Sequence, residues 1–298
     1  MKKRIALLTG GESAEREVAL LSAKNVQTAL LSRFEVEVFD FPKDLDRFVG
    51  SRSGFDMAVP IFHGKGGEDG VIQGFLEALG VPYIFSGVEA HAIGMDKAMC
   101  KKLVSCEGIK TAEWSVVKGG DVFTWKHPVV VKPVCDGSSF GVKIIHDEAS
   151  LQEVLAEKKE VLVEDFIQGR EFTVAVIERE GEVEALPVIE IRSKNEFFDY
   201  ESKYDPTLCE ELCPAPIEKE LAGQLQDLGL RVHALIGARH LSRTDMIVDD
   251  VGGIWFLEIN TIPGLTSESL TPKAISTGGL SLEDLLDGWI SEQDKRTA

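Results

Sequence analysis

Apolar residues recur along this chain with two different periods, and the change of period marks its organisation. Residues 4–9 form an apolar run that stops at Gly10-Gly11, the pattern of a buried strand entering a tight turn. Helical spacing follows from Ala14 to Leu31, with Ser13 as the expected N-cap. Strands are expected at Glu35–Asp40 and Met57–Phe62, and a helix at 71–79 after the glycine-rich loop His63 to Gly70. Strands alternating with helices predict an open, Rossmann-like parallel sheet of α/β class. Ligands of such sheets bind beyond the carboxyl ends of the strands, where Glu15 and the 63–70 loop fall.

The middle of the chain reads as α+β. A helix near 96–107 precedes short strands at 113–118, 128–133, 142–145 and 161–166, with a helix near 147–158 between the last two. Strands at 171–178 and 183–191 come next. The stretch 192–214 has little periodicity, yet it holds Phe197, Phe198, Tyr200 and Tyr204; a loop of that length rich in aromatic residues points to function. A helix at 217–239, a hairpin at 243–260 and C-terminal helices complete the pattern. The 298 residues suffice for two or three compact units, expected at 1–90, 91–177 and 178–298.

Composition narrows the function. A net charge of −18 argues against nucleic acid or an anionic membrane surface as the main partner. The opening Met1-Lys2-Lys3-Arg4 is basic, but the apolar run after it is too short for a signal sequence or a membrane span. The cysteines, Cys100, Cys106, Cys135, Cys209 and Cys213, are odd in number and contain no CxxC, which predicts free thiols in a reducing cytoplasm.

One segment carries candidate metal chemistry. Arg243-Thr244-Asp245-Met246-Ile247-Val248 and Ile254-Trp255-Phe256-Leu257-Glu258-Ile259-Asn260 flank the turn Asp249-Asp250-Val251-Gly252-Gly253, a hairpin signal. Alternation puts Arg243 with Asp245 on one face of the first strand and Glu258 with Asn260 on one face of the second. Pairing about the turn brings Asp245 roughly opposite Glu258. Two carboxylates so placed repel unless a cation or proton lies between them. Oxygen donors of this kind suit Mg2+; the same pattern also fits a solvated polar face, although Glu258 interrupts an apolar run.

The hairpin runs on into Thr261-Ile262-Pro263-Gly264-Leu265-Thr266-Ser267-Glu268-Ser269-Leu270. With Gly10-Gly11-Glu12-Ser13-Ala14-Glu15-Arg16-Glu17-Val18, the His63–Gly70 loop, Met95-Asp96-Lys97, Val131-Lys132-Pro133, Gly137-Ser138-Ser139-Phe140-Gly141, Glu164 to Glu171, Tyr200-Glu201-Ser202-Lys203-Tyr204 and Arg243-Thr244-Asp245, it resembles, over almost the whole chain, the D-alanine–D-alanine ligases of the ATP-grasp superfamily. The resemblance implies an ATP-grasp fold behind the parallel-sheet unit. It implies phosphorylation of one D-alanine carboxylate by ATP, attack by the amine of a second D-alanine, and release of ADP and phosphate, for peptidoglycan precursors. It also implies two Mg2+ ions, with Mn2+ as an alternative, and a homodimer.

Residue by residue, the resemblance gives Asp245, Glu258 and Asn260 to the metal, and Lys97 and Lys132 to the ATP phosphates. Glu164 would accept the adenine amino group, the Phe166–Ile167 backbone would read the ring, Glu171 would hold the ribose, and Phe197 and Leu257 would pack on the base. Glu15 would bind the first ammonium, linked to Ser138 and Tyr204, with His63 nearby and Lys203 aimed at the transferred phosphate. A carboxylate at Glu15 is also favoured simply by the helix dipole. Arg243 and the Gly264 N–H would stabilise the tetrahedral intermediate, and Ser269 and Leu270 would seat the second carboxylate. Phe85, Cys135-Asp136 and Leu265 depart from the family pattern without removing a site position. Tyr204 argues against the ester-forming relatives that join D-alanine to D-lactate. Another ATP-grasp carboxylate–amine ligase stays open as an alternative. A non-catalytic nucleotide-binding module should have lost part of this set, and a Rossmann dehydrogenase is disfavoured because Gly10-Gly11 lacks GxGxxG spacing.

Overall fold

The computed structural model describes residues 2–118, 121, 123–135, 137, 141–157, 160–193 and 209–297. β1 (Arg4–Gly10) is paired in parallel on both sides, with β2 (Glu35–Phe41) and β3 (Met57–Ile61). A central parallel strand must be apolar on both faces. Ile5 and Leu7 point to one cluster, against Ala23, Val26 and Leu30 of α1 (Arg16–Leu31); Ala6 and Leu8 point to another, with Phe39, Phe41 and Phe48. Phe48 lies on α2 (Leu45–Ser51), and α3 (Val71–Ala78) and α4 (Val88–Met95) follow the third strand.

The middle segment starts with α5 (Lys97–Cys106). β4 (Trp114–Lys118), β5 (Val129–Lys132), β6 (Lys143–Ile145) and β7 (Glu160–Asp165) form an antiparallel sheet in the order β4-β7-β5-β6. Its apolar face, Val117, Val129, Val131, Val161 and Val163, is covered by Leu151 and Val154 of α6 (Glu148–Glu157).

The last segment contributes β8 (Gly169–Arg179), β9 (Glu182–Ala185), β10 (Ile189–Ser193), β11 (Cys209–Leu212), α7 (Lys219–Leu235), β12 (Leu241–Asp249), β13 (Ile254–Asn260), α8 (Leu270–Thr277) and α9 (Leu282–Thr297). The sheet runs β11-β10-β8-β12-β13, with β9 paired to β8. α7 packs Leu225, Leu228 and Val232 on Phe172, Val174, Val176, Met246 and Phe256. On the opposite side, Leu286, Trp289 and Ile290 of α9 share one core with Ile177 and Ile189 and with Ile5, Leu7 and Leu30 of the parallel-sheet unit. That shared core fixes the 63–70 loop against the segment after β13.

The pattern-based elements appear with local differences. Ser13 does not hold the N-cap position of α1, which Glu15 takes without a side-chain cap bond; Ser13 Oγ accepts the Glu15 N–H at 3.2 Å and donates to the His63 carbonyl at 2.6 Å. The helix expected from 96 begins at Lys97, because the Asp96 carboxylate caps it by accepting the Met99 N–H at 2.9 Å. The strand expected at 183–191 is divided around Pro187, which has no N–H to give to a ladder. β11 lies where the pattern predicts only loop. Phe85 is fully buried, edge-on to Trp289, and its N–H donates to His240 Nδ1 at 2.8 Å. Its φ of +74° is a left-handed backbone conformation that favours glycine. None of the five cysteines is in a disulfide, and no described helix is long and apolar enough to cross a membrane.

Candidate active site

The hairpin β12–β13 is the centre of the site. Arg243 pairs with Asn260 and Asp245 with Glu258, while on the turn side Met246 pairs with Phe256. Leu257 is therefore an extra residue on β13, a β-bulge. The register of the turn alone would set Leu257 opposite Asp245. The bulge shifts every pair beyond it by one residue and brings the carboxylate of Glu258 across from Asp245 instead.

The two carboxylates carry different counter-cations. The Arg243 Nε donates to Asp245 Oδ1 at 2.9 Å and Nη2 to Oδ2 at 2.8 Å, a bidentate pair. Thr173 Oγ1 (2.5 Å) and Asn260 Nδ2 (3.2 Å) also donate to Asp245. Glu258 Oε2 is 3.2 Å from Lys97 Nζ. Burial works against both cations, but Asp245 outweighs it for Arg243 and Glu258 outweighs it for Lys97, so both hold their protons more tightly than usual. Asp245, Glu258 and Asn260 thus offer hard oxygen donors from alternate rungs on one face, a donor set that fits Mg2+ completed by phosphate oxygens. No group of three or more His, Cys, Asp or Glu able to hold a metal occurs among the described residues, so an ion here depends on the Asn260 amide and on a bound anion.

Glu164, at the end of β7, lies deeper. It is 2% exposed and sits between Lys132 Nζ, 2.8 Å from Oε2, and Lys101 Nζ, 3.3 Å from Oε1. Burial raises its proton affinity, yet Lys132 and Lys101 outweigh burial and hold the carboxyl below its ordinary range. Despite the Lys101 ion pair, Oε1 accepts no hydrogen bond. A buried carboxylate oxygen without a donor is costly, and an amino group entering beside it would supply one. Nearby, the Phe166 N–H donates to the Pro128 carbonyl at 3.1 Å. Half-buried Leu257 stands on β13, and half-buried Glu171 on β8, where it pairs with Ile247 and Ile191.

The other end of the site comes from the parallel-sheet unit. Glu15 is buried, and its carboxylate is enclosed by two glycines: a Cβ on Gly64 would lie 2.6 Å from Oε2, and one on Gly137 2.3 Å. His63 Nε2 is 3.0 Å from Ser22 Oγ, which also accepts the Leu265 N–H at 3.2 Å. Burial lowers the imidazole to about 4, so His63 is neutral near neutral pH. Glu68 spans the same boundary, accepting the Gly64 N–H at 3.0 Å and the Ile262 N–H at 3.1 Å. Burial, with Glu15 nearby, pushes its carboxyl up to about 8. These bonds tie the Ile262–Leu265 segment, which contains Gly264, to the loop and to α1. A Cβ on Gly264 would meet Ser269 Oγ at 2.9 Å, and Ser269 is the N-cap of α8, with buried Leu270 as its first residue.

Of the residues expected from sequence, Asp245, Glu258, Asn260, Arg243 and Lys97 meet at the hairpin, Lys132 meets Glu164, and Glu15 and His63 share the loop end. Ser138, Phe197, Lys203 and Tyr204 lie outside the described residues. Lys101, Glu68 and Ser22 are not singled out by sequence. Lys101 had a signal: it follows Lys97 by four, on the same face of α5.

A family model described as D-ala D-ala ligase C-terminus matches residues 103–291. A D-alanine–D-alanine ligase from Desulfotalea psychrophila is 40% identical over 299 residues, covering 95% of this chain and 92% of that protein. One from Desulforudis audaxviator is 42% identical over 301 residues, covering 96% and 97%. The crystal structure of the Bacillus anthracis D-alanine–D-alanine ligase complexed with ATP superposes with a TM-score of 0.84 at 32% identity, covering 99% of this chain and 98% of that one.

Proposed function

Because this chain belongs to the D-alanine–D-alanine ligase family, we propose that it joins two D-alanines through an acylphosphate, converting ATP to ADP and phosphate, and that it works in the cytoplasm as a homodimer. The observation that carries the reading is the hairpin rung, in which Asp245 faces Glu258 with Arg243 and Lys97 as their counter-cations.

Adenine lies with its amino group on Glu164 Oε1 and its ring edge on the Phe166–Ile167 backbone, packed by Leu257 and Phe197, with the ribose on Glu171. Lys132 and Lys97 leave Glu164 and Glu258 for phosphate oxygens, exchanging one charge-assisted contact for another. Asp245, Glu258 and Asn260 would hold Mg2+, or Mn2+, which lowers the negative charge on the transferring phosphoryl group.

Glu15 takes the ammonium of the first D-alanine, beside neutral His63, with Ser138 and Tyr204 closing over it. That substrate's carboxylate attacks the terminal phosphoryl group, ADP leaves, and Lys203 accompanies the transferred phosphate. The second D-alanine places its carboxylate at the N-terminus of α8, on Ser269 and Leu270, where unpaired N–H groups and the helix dipole favour an anion. Its amine attacks the acylphosphate carbon, the oxyanion is met by the Arg243 guanidinium and the Gly264 N–H, and collapse expels phosphate while the amine loses its proton.

The purified chain is expected to release phosphate from ATP and Mg2+ with D-alanine, and not with L-alanine or with D-lactate as the second substrate. Phosphate release with a different acid and none with D-alanine would replace the substrate assignment. The enclosure of Glu15 gives a second expectation. Gly137→Ala forces its methyl group into the Glu15 carboxylate and should raise KM for the first D-alanine by about tenfold, the equivalent of ~1.4 kcal/mol. ATP binding should be unaffected. An unchanged D-alanine KM would remove Glu15 from that role.

A further inference from the structure

Lys101 is fully buried, yet it belongs to no step described so far. Two sets of contacts define it. Across α5 it faces Glu164 on β7, of the four-stranded sheet. It also donates from Nζ to Thr111 Oγ1, which in turn donates to the Phe256 carbonyl at 2.9 Å. Thr111 and Phe256 form an isolated parallel bridge, and the Phe256 N–H donates to the Lys110 carbonyl at 2.8 Å. Phe256 is the neighbour of the bulged Leu257 on β13. A single ammonium group therefore ties the carboxylate on one sheet to the strand on the other that carries the base-packing and metal-binding residues.

Lys97 and Lys101 lie one turn apart on one face of α5, separated by roughly 6 Å of axial rise. Lys97 serves the Glu258 end and Lys101 the Glu164 end. The two differ in what they leave behind. Once Lys132 engages phosphate, Lys101 is the cation left in direct contact with buried Glu164 among the described residues, with Lys97 acting on it only at longer range.

We infer that Lys101 is a positioning residue for nucleotide recognition: it keeps Glu164 ionised and aimed at the adenine amino group after Lys132 has moved to the phosphates. Burial lowers the Lys101 ammonium to about 8, so it keeps its proton near neutral pH, and the Glu164 carboxylate offsets part of that effect. The inference rests on the reading of Glu164 as the adenine acceptor, and the test separates the two.

The test uses the full-length protein at saturating D-alanine and Mg2+, with ATP and with purine riboside triphosphate, which lacks the exocyclic amino group. Lys101→Met should raise KM for ATP by roughly tenfold, the scale of one charged hydrogen bond. It should leave KM for the analogue and for D-alanine unchanged, so that the preference for ATP disappears. An equal rise for both nucleotides would mean a purely structural role, and no rise would mean none; either overturns the inference. Thr111→Val keeps the charge and cuts the link to β13; it should give the same selective loss, smaller in size, and serves if Lys101→Met does not fold. A non-selective loss in Thr111→Val also overturns the inference. If the unaltered protein does not distinguish the nucleotides and Glu164→Ala changes neither KM, the adenine assignment itself is wrong and the inference falls with it.

Discussion

Arg243→Met is expected to lower kcat for dipeptide formation by about 10² to 10³, the scale of one lost oxyanion donor, with KM for ATP little changed. The guanidinium is held rather than free: both of its donors to Asp245 are shorter than 3 Å, and the residue is largely buried. Such a donor costs no reorganisation when charge develops at the acyl carbon. Methionine fills the space without the charge. Asp245 then keeps Thr173 and Asn260 as donors, so the fold should survive. Arg243→Lys should rescue poorly, because an ammonium cannot reproduce the fork that grips Asp245. The step at which activity is lost is diagnostic. If Arg243 serves the tetrahedral intermediate, rapid mixing should show a burst of ADP close to one per site, followed by slow dipeptide formation. Loss of the burst together with turnover would place Arg243 at phosphoryl transfer instead.

How much of this was legible in the sequence depends on the kind of interaction. The strands of the parallel sheet were readable because β1 is apolar at every position from Ile5 to Leu8, as a strand covered on both faces must be. The hairpin was readable from its turn, and the expected facing of Asp245 and Glu258 is the one observed, but the bulge that produces it was not readable. Symmetric pairing about Asp249 and Gly253 leads to Leu257 opposite Asp245, and only the bulge makes Glu258 the partner. A one-residue bulge leaves no mark on the alternation when apolar residues flank it on both sides, as Phe256, Leu257 and Ile259 do here. Lys101 and Glu68 were missed for a related reason. A charge inside a core is identified by its partner, and the partners Glu164 and Ile262 are far away in sequence. Ser13 shows the opposite error: local sequence favoured an N-cap, but the helix starts two residues later than expected, so the hydroxyl accepts the Glu15 N–H ahead of the helix and donates to the His63 carbonyl brought close by the loop. The backbone-level plan was thus local information, while the charge pairing of the site was tertiary.

Glu258→Gln should produce the other large effect, and it isolates the metal from the rest of the centre. The substitution keeps one oxygen donor and the shape of the side chain, and it removes the charge that faces both Asp245 and Lys97. Mg2+ is held mainly by carboxylate charge and phosphate oxygens. The concentration of Mg2+ for half-maximal rate is therefore expected to rise by about tenfold or more, and kcat at saturating Mg2+ to fall on the order of a hundredfold, several kcal/mol of lost charge stabilisation. Lys97→Met is the control for the same contact. It deletes the cation and spares the ligand, so it should raise KM for ATP while leaving the Mg2+ midpoint in place. Titrations of both variants with Mg2+ and Mn2+ against phosphate release separate the two roles. If Glu258→Gln turns over like the unaltered protein, the carboxylate is only the counter-ion of Lys97, and the pair Asp245 and Asn260 alone cannot make the centre metal-dependent.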